Sequence, residues 1–311
     1  MKKVSLIIPC YNEEQSLPLL YEAICSTAAE HVAYEWEFLF VNDGSKDSTL
    51  EIIKGLRASD KRVSFVDLSR NFGKERAMLA GFDYAGGDCA IVMDADLQDP
   101  PSIIGEMLAK WEEGYDDVYA KRITRGKESW LRKVFSLSFY KILNKISKID
   151  LLPNVGDFRL LDRRCLDALR ELRESERYTK GLYCWIGYKK TCVEFNRSDR
   201  VAGKSKWGFF KLLSLAVDGI VSFSTAPLKI ATVTGTICAL ASFLYSIYFL
   251  VKSLIYGDPV AGFPTLIITI LFIGGMQLIC LGIIGEYVGR IFNESKRRPV
   301  YFVRESESGK A

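Results

Sequence analysis

The sequence contains a single histidine and no pair of cysteines at the spacing of a metal site. His31 is the one histidine in 311 residues. A His-rich metal centre, an HExxH protease and catalysis by paired histidines are therefore excluded. The eight cysteines are scattered and form no CxxC pair, which disfavours zinc. Isolated thiols in apolar segments are typical of buried side chains in a reducing compartment.

Charged side chains are missing from two long stretches near the C-terminus. Residues 230–251 and 259–285 contain no Asp, Glu, Lys or Arg. At about 1.5 Å of rise per helical residue, each stretch can cross a hydrocarbon layer of about 30 Å. The sequence therefore predicts a membrane hairpin with residues 252–258 as its loop. A wholly soluble protein is excluded.

Basic residues flank this hairpin on the side of both chain termini. Lys229 precedes the first span, and Arg290 and residues 296–298 follow the second. The positive-inside rule then predicts that both termini are cytoplasmic. Glycines in the second span are compatible with close helix packing and with a homo-oligomer. These are Gly274, Gly275, Gly282, Gly285 and Gly289.

The first 120 residues alternate between apolar runs and helical patterns. Strands are predicted at residues 4–9, 38–41, 63–68, 89–93 and 117–120. Helices are predicted between them, at residues 16–32, 48–56, 75–84 and 102–113. Continuous apolar strands that alternate with helices predict an α/β fold with a parallel sheet buried on both faces. Ligands bind such sheets beyond the carboxyl ends of the strands.

One internal segment is strongly basic. Residues 121–148 hold nine Lys or Arg side chains and one acidic side chain, Glu128, so their net charge is +8. Apolar residues at helical spacing within 127–149 predict an amphipathic helix on an anionic lipid surface, with an ordinary surface helix as the alternative. Residues 206–222 are a second amphipathic candidate. Nucleic acid is a less favoured partner, because bulky apolar residues alternate with the basic stripe.

Polar side chains follow several predicted strands, where ligands are expected. Asp94 and Asp96 leave the fourth strand on the same side and can share one divalent cation, with Gln98 as a further oxygen donor. Tyr11 follows the first strand and offers a flat face to a base. Asp43 follows the second strand and can accept a hydrogen bond from an imide N–H such as that of uracil. Each feature is weak alone, but together they predict a nucleotide site with a metal.

These residues resemble glycosyltransferase family 2, and more narrowly its polyprenyl-phosphate glycosyltransferases. That group includes the bactoprenol glucosyltransferases and the dolichyl-phosphate mannose synthases. The resembling segments are residues 4–13, 41–45, 70–74, 93–100, 154–160 and 200–206, together with both spans. The resemblance implies a GT-A-type, mostly parallel sheet flanked by helices, with interfacial amphipathic helices and two C-terminal transmembrane helices. It also implies a nucleotide-sugar donor, a divalent metal (Mg²⁺ or Mn²⁺) and a lipid-phosphate acceptor.

The resemblance also assigns roles to single residues. The donor-binding residues would be Pro9, Tyr11, Glu13, Asp43 and Asp94. The metal ligands would be Asp94, Asp96 and Gln98. The catalytic residues would be Asp157, as base or acceptor-orienting group, and Asp96. The acceptor phosphate would meet Arg122, Arg132, Arg200 and Lys206.

The chemistry does not require a catalytic histidine. A phosphate monoester acceptor is already anionic near neutral pH, so the reaction needs positioning and charge neutralisation rather than strong deprotonation. The favoured interpretation is inverting transfer of glucose from UDP-glucose to undecaprenyl phosphate at the cytoplasmic face of a bacterial inner membrane. The same chemistry with mannose, galactose, GlcNAc or aminoarabinose remains open. A non-catalytic, membrane-anchored nucleotide-binding scaffold is the alternative from another functional class.

The predicted organisation has three parts. Residues 1–225 form a cytoplasmic catalytic domain, residues 226–290 the transmembrane hairpin, and residues 291–311 a cytoplasmic tail. The stretch after Arg304 has the composition of a linker. A flippase is the expected downstream partner, since the lipid-linked sugar would be made on the inner leaflet.

Overall fold

The computed structural model of the chain describes residues 1–123, 155–196, 226–256 and 262–308. Its strands are β1 (Lys2–Cys10), β2 (Tyr34–Asn42), β3 (Val63–Leu68), β4 (Cys89–Val92), β5 (Asp117–Arg122), β6 (Val155–Asp162), β7 (Lys190–Phe195) and β8 (Val303–Glu307). Its helices are α1 (Leu17–Glu30), α2 (Thr49–Ser59), α3 (Lys74–Tyr84), α4 (Ile104–Glu112), α5 (Arg163–Glu171), α6 (Thr179–Trp185), α7 (Ala226–Tyr256) and α8 (Phe263–Ser295). A 3₁₀ turn at Pro101–Ile103 precedes α4.

The eight strands form one mixed sheet in the order β7-β5-β6-β4-β1-β2-β3-β8. Four of its seven neighbouring pairs are parallel, which confirms a mostly parallel sheet. β6 and β8 run antiparallel to the strands beside them. The chain reverses its direction of travel across the sheet between β1 and β4. A crevice at the carboxyl ends of strands is expected at such a switch point.

Both faces of the sheet are buried, as the continuous apolar strands predict. Successive residues of a strand point to opposite faces, so Leu6 and Ile8 enter one apolar cluster and Ile7 enters the other. Side chains of α1 and α4 complete the first cluster. Side chains of α3, α5 and α6 complete the second. This two-sided core fixes the strand ends on which the site is built.

Predicted and observed elements agree within the first 120 residues, and the differences lie further on. All five predicted strands and all four predicted helices are present there. The sequence did not predict β6, β7 or β8. The stretch after Arg304 is not a linker as predicted, because Val303–Glu307 pairs with the edge strand β3. The predicted hairpin loop also begins too early, since α7 continues through Lys252 to Tyr256.

Helices α7 and α8 have the length and composition of membrane spans. The qualifying segments are Pro227–Tyr245 and Phe272–Ser295, and neither is buried within the protein. The two helices contact each other. A Cβ added at any of the five glycines named in the second span would meet no other described atom within 4 Å. That glycine face is therefore not the surface that contacts α7.

Several predictions fall outside the described residues. These are the amphipathic helices at 127–149 and 206–222 and three of the predicted acceptor-phosphate residues. The three residues are Arg132, Arg200 and Lys206.

Candidate functional site

The site is built where loops leave the carboxyl ends of β1, β2 and β3. The loop after β1 is joined to the loop after β2: the backbone N–H of Asn12 donates to Ser45 Oγ at 3.0 Å, and that of Glu13 donates to Thr49 Oγ1 at 2.8 Å. Asn12 has a positive φ of 55°, which asparagine tolerates better than most residues. Tyr11, beside it, is 37% exposed. The predicted donor-binding residues Tyr11 and Glu13 therefore lie on one fixed rim.

Asp43 fixes the third loop of this rim. It is buried, and its two carboxylate oxygens accept hydrogen bonds from the backbone N–H groups of Phe72 at 2.7 Å and Gly73 at 2.9 Å. Burial raises the pKa of Asp43, and the two amide hydrogen bonds oppose that rise. Both of its oxygens already serve the loop before α3. Asp43 therefore positions the rim, and direct contact with a base stays a prediction.

Gly44 allows the second and third loops to approach closely. Its φ is 64°, and a Cβ at this position would lie 2.4 Å from the backbone carbon of Arg70. A larger residue would push the loops apart. The Asn-Asp-Gly sequence at the end of β2 therefore requires glycine in its third position, because a Cβ there would collide with the backbone of the third loop.

Asp94 and Asp157 lie together although 62 residues separate them in the sequence. β4 and β6 are antiparallel, and Val92 pairs with Arg159. The same register, continued two residues forward from Val92 and two residues back from Arg159, places Asp94 opposite Asp157. Lys74, at the start of α3, joins the two carboxylates. Its ammonium lies 2.6 Å from Asp94 Oδ1 and 2.6 Å from Asp157 Oδ2. The structure therefore brings a predicted metal ligand next to the predicted acceptor-orienting group.

Charge in this cluster holds Asp157 ionised. Burial raises the pKa of Asp157, but the positive charges of Lys74 and Lys180 outweigh it and hold that pKa well below its usual range. Burial in turn lowers the pKa of Lys74, whereas the charges of Asp157 and Asp94 raise it well above its ordinary value. Asp157 Oδ1 is buried and has no hydrogen-bond partner among the described residues. One acceptor position of an anionic side chain is thus left for a ligand.

The loop after β4 is rich in carboxylates. Asp96 Oδ1 accepts a hydrogen bond from the backbone N–H of Gln98 at 3.2 Å, and Leu97 between them has a φ of 57°. Asp99 is only 2% exposed, and its pKa is raised to about 6, first by burial and then by the charge of Asp94. Arg122 approaches Asp99 Oδ1 at 3.6 Å. That oxygen makes no hydrogen bond to any described residue.

These features fit a divalent cation. Burial is the main cause of the raised pKa of Asp99 and the charge of Asp94 adds to it, while Lys74 places an ammonium where a cation would neutralise Asp94. In the described part of the chain, no three acidic, histidine or cysteine side chains are grouped closely enough to hold an ion alone. Asp94 and Asp96, with the Gln98 amide, would therefore bind Mg²⁺ or Mn²⁺ together with phosphate oxygens of a ligand. Magnesium sites of one or two carboxylates plus substrate phosphates are common.

Of the predicted acceptor-phosphate residues, only Arg122 is described. Its guanidinium faces Asp99, and a Cβ at Gly156 would come within 3.0 Å of it. A larger residue at position 156 would make the Arg122 guanidinium shift by a few tenths of an ångström. Sequence reasoning overlooked Lys74, although residues 70–74 were part of the recognised pattern. Two features of the sequence could have identified Lys74. The predicted acidic residues had no assigned cationic side chain, and Lys74 stands at the start of a predicted helix near the same edge of the sheet.

Comparison of the sequence with protein-family models identifies the family of this chain. A family model described as glycosyl transferase family 2 matches residues 5–170, which is more than half of the chain. The chain belongs to glycosyltransferase family 2. A second model, described as the GtrB C-terminal hairpin, matches residues 226–291 of this glycosyltransferase and so covers α7 and most of α8.

Relatives align with this glycosyltransferase from end to end. It is 44% identical over 307 residues to the SfII prophage-derived bactoprenol glucosyl transferase of Shigella flexneri, with 99% of both chains covered. It is 45% identical over 303 residues to the uncharacterized glycosyltransferase sll0501 of Synechocystis, with 97% of this chain and 95% of the relative covered. The prophage bactoprenol glucosyl transferase homolog of Escherichia coli is 42% identical over 302 residues, with 97% and 98% covered.

The family and the geometry agree. The mixed α/β sheet is of the GT-A type that the sequence predicts, and the protein is an enzyme that transfers sugar from a nucleotide-sugar donor. The carboxylate cluster lies beyond β4 and β6, next to the switch point between β1 and β4, where nucleotides bind in such sheets. The predicted family is therefore confirmed, whereas the roles of single residues stay predictions.

Proposed function

We propose that this glycosyltransferase moves glucose from UDP-glucose to a polyprenyl phosphate and inverts the anomeric configuration. The observation that carries the proposal is the end-to-end similarity, catalytic domain and hairpin together, to the bactoprenol glucosyl transferase of Shigella flexneri. A soluble family member would not need the hairpin. The cluster around Lys74 supports the proposal, because it can receive a diphosphate with its cation.

The chain's own residues would act mainly by positioning. Tyr11 and Glu13 would border the nucleotide, and the loop that Asp43 holds would support it. Asp94, Asp96 and Gln98 would hold Mg²⁺ or Mn²⁺ on the donor diphosphate, which supplies Lewis-acid stabilisation of the leaving group.

The acceptor side would be formed by residues around β6. Asp157 would orient the acceptor phosphate by accepting a hydrogen bond from its P–OH group at Oδ1, which has no partner among the described residues; the lowered pKa of this carboxyl favours orientation over a role as base. Arg122, with Arg132, Arg200 and Lys206, would bind that phosphate. Anionic acceptor and anionic donor repel each other, so positive groups are required to bring them within reaction distance.

We further propose a multi-pass protein of the bacterial inner membrane with a catalytic domain and both termini in the cytoplasm. β1 near the N-terminus and β8 after the hairpin belong to one sheet, which supports a location on the same side of the membrane. Residues 1–225 would be the catalytic unit and 226–290 the hairpin, with β8 returned to the catalytic sheet by residues 291–311. Assembly through the glycine face of α8 and delivery of the product to a flippase are parts of the same proposal.

The test is lipid labelling by membranes that contain the protein. Membranes are incubated with radiolabelled UDP-glucose, UDP-galactose, UDP-GlcNAc, GDP-mannose or UDP-aminoarabinose, and the lipid fraction is extracted. We expect label from UDP-glucose only, released by mild acid as glucose. Label from another donor would replace glucose as the sugar. No lipid label from any donor, with active control membranes that carry a known transferase, would contradict the proposal.

A further inference from the structure

Lys74 lies at the centre of the carboxylate cluster, and no role in the reaction has been given to it above. Its ammonium nitrogen lies 2.6 Å from both Asp94 Oδ1 and Asp157 Oδ2. Those two oxygens can therefore be no farther apart than twice that distance. The Lys74 side chain is 41% exposed.

A divalent cation on Asp94 would compete with Lys74, whose ammonium lies 2.6 Å from Oδ1 and 2.9 Å from Oδ2 of that carboxylate. A cation bound to the Asp94 carboxylate at the usual distance of about 2.0 to 2.6 Å would lie within a few ångströms of the ammonium on the same group. Like charges that close together in a partly buried site repel strongly. Binding of a cation there therefore favours movement of Lys74 away from Asp94.

The backbone of Lys74 is held in place, so this change belongs to the side chain. Gly73, just before it, donates its N–H to Asp43 Oδ2 at 2.9 Å, and the N–H of Ala77 donates to Gly73 O at 3.0 Å as α3 begins. A lysine side chain has four rotatable bonds and a freely turning ammonium. It can therefore exchange one anionic partner for another while α3 stays still.

We propose that Lys74 is the counter-cation of the ligand-free site, and that it moves from Asp94 to the diphosphate of the donor when the donor binds together with a divalent cation. The inference rests on the metal–diphosphate donor of the proposed function, but not on the identity of the sugar or the acceptor. Lys74 is then a positioning residue. Its ammonium bridges Asp94 and Asp157 in the empty site. It releases Asp94 only when the diphosphate of the donor arrives as its new anionic partner.

The proposal makes metal binding and nucleotide binding depend on each other. A cation that arrives alone must displace Lys74 while no new anion is present, so its affinity is low. A cation that arrives with a diphosphate meets no such penalty. Coupling between two ligands is reciprocal, so Mn²⁺ should raise the affinity for UDP by the same factor as UDP raises the affinity for Mn²⁺.

The experiment measures Mn²⁺ binding directly, without turnover. Free Mn²⁺ is quantified by electron paramagnetic resonance in titrations of the detergent-solubilised full chain, with and without UDP. For the wild type we expect UDP to tighten Mn²⁺ binding by at least about tenfold. For Lys74→Met we expect Mn²⁺ alone to bind about tenfold more tightly than to the wild type, and we expect the UDP effect to shrink by about the same factor, because only direct contact between the cation and the diphosphate then couples the two ligands. Lys74→Arg retains the charge. Mn²⁺ alone should therefore bind to it as weakly as to the wild type, and UDP should tighten that binding as in the wild type.

Control variants test whether the change in Mn²⁺ binding is specific to Lys74. Lys110→Met removes an exposed lysine that pairs with Glu113 at 3.0 Å, and it should leave both titrations unchanged. If Lys74→Met does not fold, Lys74→Gln, whose amide can still donate to both carboxylates, replaces it in the comparison.

The outcomes that contradict the proposal are distinct. Wild-type affinity for Mn²⁺ alone in the Met or Gln variant would overturn the role of Lys74 and leave the proposed function standing. So would an Arg variant that binds free Mn²⁺ as tightly as the Met variant. A wild type that binds no Mn²⁺ even with UDP would overturn the metal–diphosphate site itself, and with it both proposals.

Discussion

Asp96 is the residue at which the predicted metal chemistry can be tested most directly. Its carboxylate follows β4 on the same loop as Asp94, and its Oδ1 accepts a local hydrogen bond from the N–H of Gln98. Asp96→Asn keeps the size and that hydrogen bond but removes the charge. We expect the turnover number to fall by about a thousandfold, since a Lewis-acid cation contributes several kcal/mol to charge stabilisation.

The measurement is UDP release or lipid labelling at saturating donor and Mn²⁺. Asp167→Asn is the matched control, because it neutralises an exposed carboxylate on α5 that pairs with Arg170. Near-normal turnover of Asp96→Asn at saturating metal would remove this residue from the catalytic group.

Asp99 provides a prediction about pH and stability. Its pKa is raised from the ordinary 3.8 to about 6 in the folded protein, by burial and by the charge of Asp94. Between these values the folded state keeps a proton that the unfolded state has lost. The free energy of unfolding should therefore decrease as the pH rises from about 4 to about 6, with a full cost of about 3 kcal/mol above that range.

Asp99→Asn removes this cost. In metal-free buffer, its melting temperature should exceed that of the wild type at pH 7.5 and match it at pH 4. Thermal unfolding of the solubilised full chain at the two pH values checks the difference. A melting-temperature difference that is the same at both pH values would show that protonation of Asp99 is not the cause.

At the scale of elements, the sequence predicted strands well where burial is apolar and poorly where it is not. Residues 4–9 and 63–68 are apolar runs, and both are strands. β6 contains Asp157 and Arg159, which are buried because their partners come from other elements: Asp157 meets Lys74, and Arg159 pairs with Asp117 at 3.0 Å. Charges in a single sequence indicate exposure, so a strand that buries paired charges cannot be found by its hydrophobic pattern.

β8 was missed for the opposite reason. Four of its five residues are exposed, so it has no apolar pattern. It exists because β3 would otherwise be an edge and because ion pairs attach it: Lys54 to Glu305 at 2.5 Å and Arg57 to Glu307 at 3.0 Å. Both partners are distant in sequence. The rim of the site, in contrast, could be predicted, since it depends on which residues follow each strand.

The end of α8 is attached to the active-site helix α3 through one loop. Glu294 accepts the backbone N–H of Ser175 at 2.7 Å, and Ser175 O accepts the Arg76 guanidinium at 2.9 Å. Arg290 pairs with Glu176 at 2.6 Å. Because Arg76 lies on α3 two residues after Lys74, this loop connects a membrane helix with the carboxylate cluster.

Glu294→Ala should therefore impair the use of a membrane acceptor more than the binding of donor. Loss of one charge-assisted hydrogen bond of about 1.5 kcal/mol predicts a decrease of about tenfold in kcat/KM for lipid phosphate in vesicles. UDP affinity should stay within about twofold. Glu113→Ala is the control, since its carboxylate pairs with Lys110 at 3.0 Å and takes no part in this attachment. Equal losses for donor and acceptor would show that the attachment merely stabilises the fold.

At the scale of the whole molecule, the catalytic sheet is closed by a strand that the chain adds only after it has formed both membrane helices. β8 pairs with β3, and Ser69, at the end of β3, donates its N–H to Phe302 O at 2.9 Å. Val300 and Tyr301, in the approach to β8, pack against the second apolar cluster. Residues 1–225 therefore do not contain the complete sheet, although the sequence alone predicted them as the catalytic domain.

This topology predicts how a soluble catalytic domain must be made. A chain that ends at residue 225 leaves unpaired those N–H and C=O groups of β3 that face β8, and it uncovers part of the second cluster. We expect it to lose about 2 to 4 kcal/mol of unfolding free energy and to aggregate through the open edge.

Residues 1–225 joined by a flexible glycine-serine linker to residues 296–308 should recover most of that stability. Denaturant unfolding and light scattering compare the two chains, with a linked chain that ends at residue 299 as the control for the linker. If the chain that ends at residue 225 is as stable and monomeric as the linked one, β8 is not a functional part of the sheet, and the catalytic unit ends before the membrane.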